Sequence, residues 1–125
     1  MVLGLLLVAS FMFPIQKANA TSAEIQTAEG HNSSNTSYTV SFSSSVTKGD
    51  LLVAMQGALT TSTTLGVSDS QGNTWSHATS QCTNACVEIW YATAGSTGSD
   101  TVTFTTTASS YLAYGFILEF RGGHR

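Results

Sequence analysis

Side chains in this chain alternate. Tyr38, Val40 and Phe42 are spaced by Thr39 and Ser41, and Val102 and Phe104 by Thr101, Thr103 and Thr105. A period of two sends successive side chains to opposite faces of an extended strand, whereas an amphipathic helix needs a period near 3.6. Helical spacing is absent after the first twenty residues. Turn chemistry separates the runs: Lys48-Gly49-Asp50, Asp69-Ser70-Gln71-Gly72-Asn73, and Gly95 to Asp100. Asp and Asn side chains bond to nearby backbone, and Gly supplies positive φ. Seven or eight strands are predicted, near 25–28, 38–42, 51–58, 66–68, 74–80, 87–94, 101–105 and 112–120. Short, evenly spaced strands predict an all-β fold: an antiparallel β-sandwich, immunoglobulin-like or jelly-roll-like, with a closed barrel as the lesser alternative.

Leu51 to Leu59 and Tyr111 to Phe120 are apolar at both parities, so both are expected to be central or covered on both sides. Gly57 and Gly115 interrupt them and point to bulges or close backbone approach. The second run lies almost at the end of the chain. Left at a sheet edge it would expose unpaired backbone and an apolar surface. Either an earlier strand covers it or the chain is a fragment with strands to come, and the fragment is the preferred expectation.

Val2 to Phe13 is nearly unbroken apolar sequence, followed by Pro14 and Ala18-Asn19-Ala20. Its length and small residues suit a secretory signal peptide over 1–20, leaving a domain over 21–125. A membrane-spanning helix needs about 20 apolar residues, more than this run holds. The alternative is a buried amino-terminal helix. Beyond the leader the acids Glu24, Glu29, Asp50, Asp69, Glu88, Asp100 and Glu119 face only Lys48, Arg121 and Arg125. So few cations cannot neutralise a row of phosphates, which argues against nucleic acid as a partner, and they form no patch for anionic lipid. Runs such as Ser43-Ser44-Ser45 and Thr105-Thr106-Thr107 solubilise a surface without charge, as in exported β proteins.

Cys82 and Cys86 are the only cysteines. In an oxidising compartment they are expected to close a short disulfide loop. Metal binding would need more ligands, and His77 is the nearest. Asp69 and Asn73 with nearby carbonyls raise a calcium site, since calcium takes several oxygen ligands. One carboxylate is a weak nucleus, and an Asx-stabilised turn is the plainer expectation. No other cofactor is implied.

Trp75, Trp90 and Tyr91 raise carbohydrate recognition, because an exposed aromatic plane stacks on the apolar face of a sugar. Val87, Ile89 and Tyr91 share one strand face. If that face is core, Trp90 is partly exposed beside Glu88, a hydrogen-bond acceptor. The alternative is Trp90 packed under a loop. Enzymatic readings are poorer. His31, His77 and His124 fall in loop-like, strand-like and terminal contexts, and there is no G-x-S-x-G elbow. Glu88 and Glu119 could form a glycosidase pair, but nothing in the sequence sets their separation. Asn32-Ser33-Ser34 and Asn35-Thr36-Ser37 match glycosylation acceptors.

Four blocks recur in order: Gly49-Asp50-Leu51-Leu52-Val53, Asp69 to Trp75, Trp90-Tyr91-Ala92 and Glu119-Phe120-Arg121-Gly122. This series resembles a β-sandwich module of secreted and surface-associated bacterial proteins. The resemblance implies an immunoglobulin-like or jelly-roll-like module, often part of a larger exported protein, with no catalytic residues. The expected function is a non-catalytic exported module, structural or adhesive, at the cell surface or secreted. Its partners would be glycans or other surface proteins, with further modules on the same polypeptide. The alternatives are a carbohydrate-binding module using Trp90, Trp75, Tyr91 and Glu88, and a fragment of a secreted glycan hydrolase.

Overall fold

The computed structural model describes residues 23–33, 36–59, 65–106 and 112–122. These residues form eight strands, β1 (Glu24–Asn32), β2 (Ser37–Ser41), β3 (Leu51–Ala58), β4 (Leu65–Asp69), β5 (Ser76–Cys82), β6 (Cys86–Thr93), β7 (Thr101–Thr106) and β8 (Ala113–Phe120). All eight fall where the alternation predicts strands; the largest difference is β1, which runs on to Asn32. Among the described residues there is no helix, so none is long and apolar enough to cross a membrane.

The strands form two antiparallel sheets, ordered β1-β8-β3-β6-β5 and β2-β7-β4. First pairs with last, second with seventh and third with sixth. This nested pairing is the jelly-roll order, which decides between the two sandwich types. One strand departs from it: β5 pairs with β6 instead of closing on β4. The sequence supplies two reasons. A disulfide joins Cys82 to Cys86, directly opposite each other at the β5–β6 hairpin. At the other end of β5, the Asp69 turn carries the chain from the smaller sheet to the larger one.

The core lies between the sheets. Val40 and Phe42 of the β2 segment and Val102 and Phe104 of β7 face Leu52, Ala54 and Ile117 of the larger sheet, all buried. Strand β8 lies between β1 and β3, paired along its length on both edges. An earlier strand therefore covers each of its edges. Gly115 marks close approach, as a Cβ there would lie 2.6 Å from the Phe104 ring. Neither Gly115 nor Gly57 is a bulge. The register shifts fall between Glu24 and Gln26 and between His77 and Thr79.

Buried and half-buried carboxylates bind the loops at one end. Glu119 is fully buried on the inner face of β8. Its Oε2 accepts from Gln26 Nε2 at 2.6 Å and its Oε1 from the Thr47 backbone N–H at 2.8 Å. The Gln26 side-chain oxygen Oε1 in turn accepts from the Ser44 N–H. Asp50, also fully buried, accepts from the Gly122 N–H at 3.0 Å, so the first and last sequence blocks meet. Asp69 accepts from the Asn73 N–H, from Asn73 Nδ2 and from the Trp75 indole N–H, at 2.8–2.9 Å. Asn73 Oδ1 then accepts from the Gly95 N–H.

Asp100 completes this end. It is 2 % exposed, its Oδ1 accepts from Ser70 Oγ at 3.2 Å, and its Oδ2 has no partner. Burial, with the Asp69 charge adding to it, raises its pKa above the ordinary 3.8, against hydrogen bonds from Ser70, Gln71 and Thr101.

Two outcomes are expected. Glu119→Ala strands the Thr47 N–H and the Gln26 amide, and should cost about 2–5 kcal/mol in denaturant unfolding. A loss under about 1 kcal/mol would mean these donors are satisfied elsewhere. The second concerns pH. With its folded pKa raised, Asp100 holds a proton in the folded state that the unfolded chain has released. Its contribution to stability therefore falls as pH rises from about 4 through the folded pKa. Asp100→Asn should raise the unfolding midpoint at pH 7 and flatten the profile above about pH 4. A lower midpoint with an unchanged slope would refute this.

Candidate functional site

The faces of β6 are the reverse of the sequence expectation. Cys86, Glu88, Trp90 and Ala92 point into the sandwich, opposite Ala58, Gln56, Ala54 and Leu52 of β3. Val87 and Tyr91 point outward and are 49 % and 47 % exposed. The apolar trio Val87, Ile89 and Tyr91 is thus not core, and Trp90 is partly buried, packed against the central cluster. The register explains the reversal. Leu52 lies inside on β3, which places Ala92 inside on β6, and every second residue follows.

Two surfaces result. The first is a polar strip on the inner face, near the β5 edge. Trp90 Nε1 donates to Glu88 Oε2 at 2.9 Å, and the His77 ring meets Trp90 edge-on at 4.9 Å between centroids. The next strand contributes Gln56, 1 % exposed and opposite Glu88, whose amide oxygen and nitrogen both lack partners. Gly115 of β8 sits opposite Gln56 on the other side, and its missing Cβ makes room for Tyr38 Oη, also unpartnered. Burial pushes the Tyr38 phenol well above its ordinary pKa. The strip thus runs from exposed β5 toward buried hydrogen-bonding groups.

The structure brings Glu88 and Trp90 together, but not the other two aromatics of the expected sugar site. Tyr91 lies on the opposite face, and the Trp75 indole is engaged by Asp69. His77 and Gln56 join instead. Sequence reasoning treated His77 as an isolated histidine; its pairing with Trp90 follows only from the cross-strand register. The Asp69 and Asn73 oxygens accept from the chain's own N–H groups, as an Asx-stabilised turn requires. Among the described residues no three His, Cys, Asp or Glu side chains gather as a metal site. Glu88 and Glu119 sit two strands and several residues apart, with backbones separated by about 16 Å along the sheet. Glycosidase carboxylates lie within about 10 Å of each other. Asn32 is buried at the end of β1, and Asn35 and His124 lie outside the described residues.

The second surface is the outer face of the five-stranded sheet. Its three middle strands present aligned outward rows: Leu118, Val53 and Tyr91, then Phe116, Met55 and Ile89, then Tyr114, Gly57 and Val87. Leu51 and Phe120 begin a further row that ends in Thr93. No charged side chain lies among these positions. Leu51, Val87, Tyr91, Tyr114 and Phe116 are all at least 36 % exposed. Polar columns flank them, with Thr27, Glu29 and His31 on β1 and Ser76, Thr79 and Gln81 on β5. An apolar centre with a polar rim is the anatomy of a protein-binding face.

At one end of this face Gly57 leaves a groove of about 440 Å³, walled by Met55, Leu59, Val87, Leu112, Tyr114 and Phe116. Strands β3 and β8 are central in the sheet, as their two-sided apolar character predicts, with the inner face buried and the outer face exposed or half-buried. Comparison with known proteins found no matching family model, no matching characterised protein and no matching solved structure.

Proposed function

We propose that this chain is a non-catalytic, exported β-sandwich module with a structural or adhesive role at or outside the cell surface. The outer face of the five-stranded sheet is its working surface. The observation that carries the reading is the exposed apolar panel on that face, bounded by neutral and weakly charged columns. Exposed apolar patches of this extent mark interaction sites on soluble domains. The Cys82–Cys86 disulfide and the leader-like amino terminus support export.

Retention of the exported protein in the envelope fraction of the producing cells tests the reading. Tyr91→Ser with Phe116→Ser removes two aromatics whose burial is worth about 1.5–3 kcal/mol each, so retention should fall at least ~10-fold. A folded double variant retained like the wild type would refute the panel as the working surface.

A second reading, carbohydrate binding, is favoured by one observation. Trp90 donates its indole N–H to the Glu88 carboxylate and meets the His77 ring edge-on at the exposed β5 side of the strip. A sugar hydroxyl bonds well to a carboxylate such as that of Glu88. A glycan array should then show binding that Trp90→Ala abolishes and Tyr91→Ser spares. No binding, or equal loss in both variants, rejects this site.

A further inference from the structure

Gly57 stands apart from the other glycines inside strands. A Cβ at Gly30, Gly66 or Gly115 would come within 2.8 Å of an atom of this chain, so those glycines relieve internal crowding. A Cβ at Gly57 would meet only the Val87 methyl, at 4.0 Å, an ordinary contact. Its φ lies outside the left-handed region, so no turn demands glycine there. Glycine inside a strand weakens it, and it marks a site where a ligand or another backbone approaches closely. The groove of about 440 Å³ over Gly57 has the size of a small-molecule site, about 300–1,000 Å³.

A second cavity, of about 230 Å³, adjoins this groove and is lined by Glu29, Gly30, His31, Tyr114 and Phe116. Tyr114 and Phe116 line both. The register sets the order across the sheet. Glu29 pairs with Phe116 and His31 with Tyr114 on one side, while Met55 pairs with Phe116 and Gly57 with Tyr114 on the other. The Glu29 column and the floor of the groove are therefore two strand spacings apart, about 10 Å. Glu29 is exposed, and among the described residues no Lys or Arg lines either cavity.

We infer that the two cavities form one site for a small amphipathic amine, its ammonium held at Glu29 beside the Tyr114 and Phe116 rings and its apolar chain in the groove over Gly57. This goes beyond the retention role of the same face, which is carried by Tyr91 and Phe116.

The linings select that chemistry. A carboxylate at one end attracts a cation and repels a fatty acid or any other anionic amphiphile. Tyr114 and Phe116, 47 % and 37 % exposed, add ring faces that attract an ammonium group. The groove beyond them, with Met55, Leu59, Val87 and Leu112, suits an uncharged hydrocarbon. An alkyl chain of eight carbons is long enough to join the two.

Titration calorimetry on the full chain tests the inference, using octylammonium, octanol and octyl sulfate, each below the concentration at which it aggregates. The wild type should bind octylammonium at least ~5 times more tightly than octanol, the ratio an exposed ion pair and a cation–π contact supply together, and octyl sulfate most weakly. Glu29→Gln, at an exposed position, should bring octylammonium to the level of octanol and leave octanol unchanged. Gly57→Val fills the groove and should weaken all three at least ~10-fold. Should Gly57→Val fail to fold, Val87→Ser at the exposed wall replaces it and should also weaken all three. No binding by the wild type, equal binding of the three head groups, or an unchanged preference in Glu29→Gln overturns the inference. So does a self-associated chain, seen by sedimentation of the same samples, that excludes the amine. Envelope retention that falls in the Tyr91 and Phe116 double variant, with no amine bound by the wild type, defeats this site alone. Amine binding with retention unaffected defeats the proposed function alone.

Discussion

A carboxylate wholly or partly withdrawn from solvent must be given hydrogen bonds, and this fold turns that requirement into its framework. Glu119, Asp50 and Asp69 each accept backbone or side-chain N–H donors from a different part of the chain. Through Glu119 the last strand is tied to the connection between β2 and β3. Through Asp50 the start of β3 holds the residue just beyond β8. Asp69 shapes the passage between sheets. The loops at this end therefore behave as one bonded layer. Charge-assisted hydrogen bonds of this kind are shorter and stronger than neutral ones. In a chain with so few charges, a large share of its acids serve its own backbone.

This explains what the four sequence blocks do. Asp50 and Gly122 come from the first and last blocks and bond to each other, while Asp69, Asn73 and Trp75 form a closed set within the second. Polar residues that invite a functional reading in the sequence are occupied in shaping turns. Strand positions were legible because alternation and turn residues are local signals, and β3, β7 and β8 lie almost where they suggest. Nested pairing was not legible, because it depends on which distant strands meet.

Face assignment shows most clearly where local reasoning stops. On β6 the more apolar set, Val87, Ile89 and Tyr91, reads as core, yet the inner set holds Glu88 and Trp90. Register across β3 decides the matter, and hydrophobicity within a single strand carries no information about that register. The same limit hid the pairing of His77 with Trp90 and the buried position of Gln56. It also made the outer panel invisible, because the outward apolar rows of three strands form a surface only once they are aligned. The carbohydrate reading keeps Trp90 and Glu88 but loses Tyr91 for this reason, and Trp75 to its hydrogen bond with Asp69.

Strand β5 has a different standing from the rest. All seven of its residues are exposed, and among the described residues it pairs on one edge, with β6. Among the described residues, the ladder to β6, the His77–Trp90 ring contact and the Cys82–Cys86 bond hold it in place. Local opening costs least where few apolar contacts must be broken. Strand β5 is therefore a flap hinged on a covalent pin, and the compartment's redox state sets how tightly the pin holds. With the thiols reduced, the strand could peel away while the sandwich stayed intact, leaving β6 as the sheet edge and Trp90 open from the side.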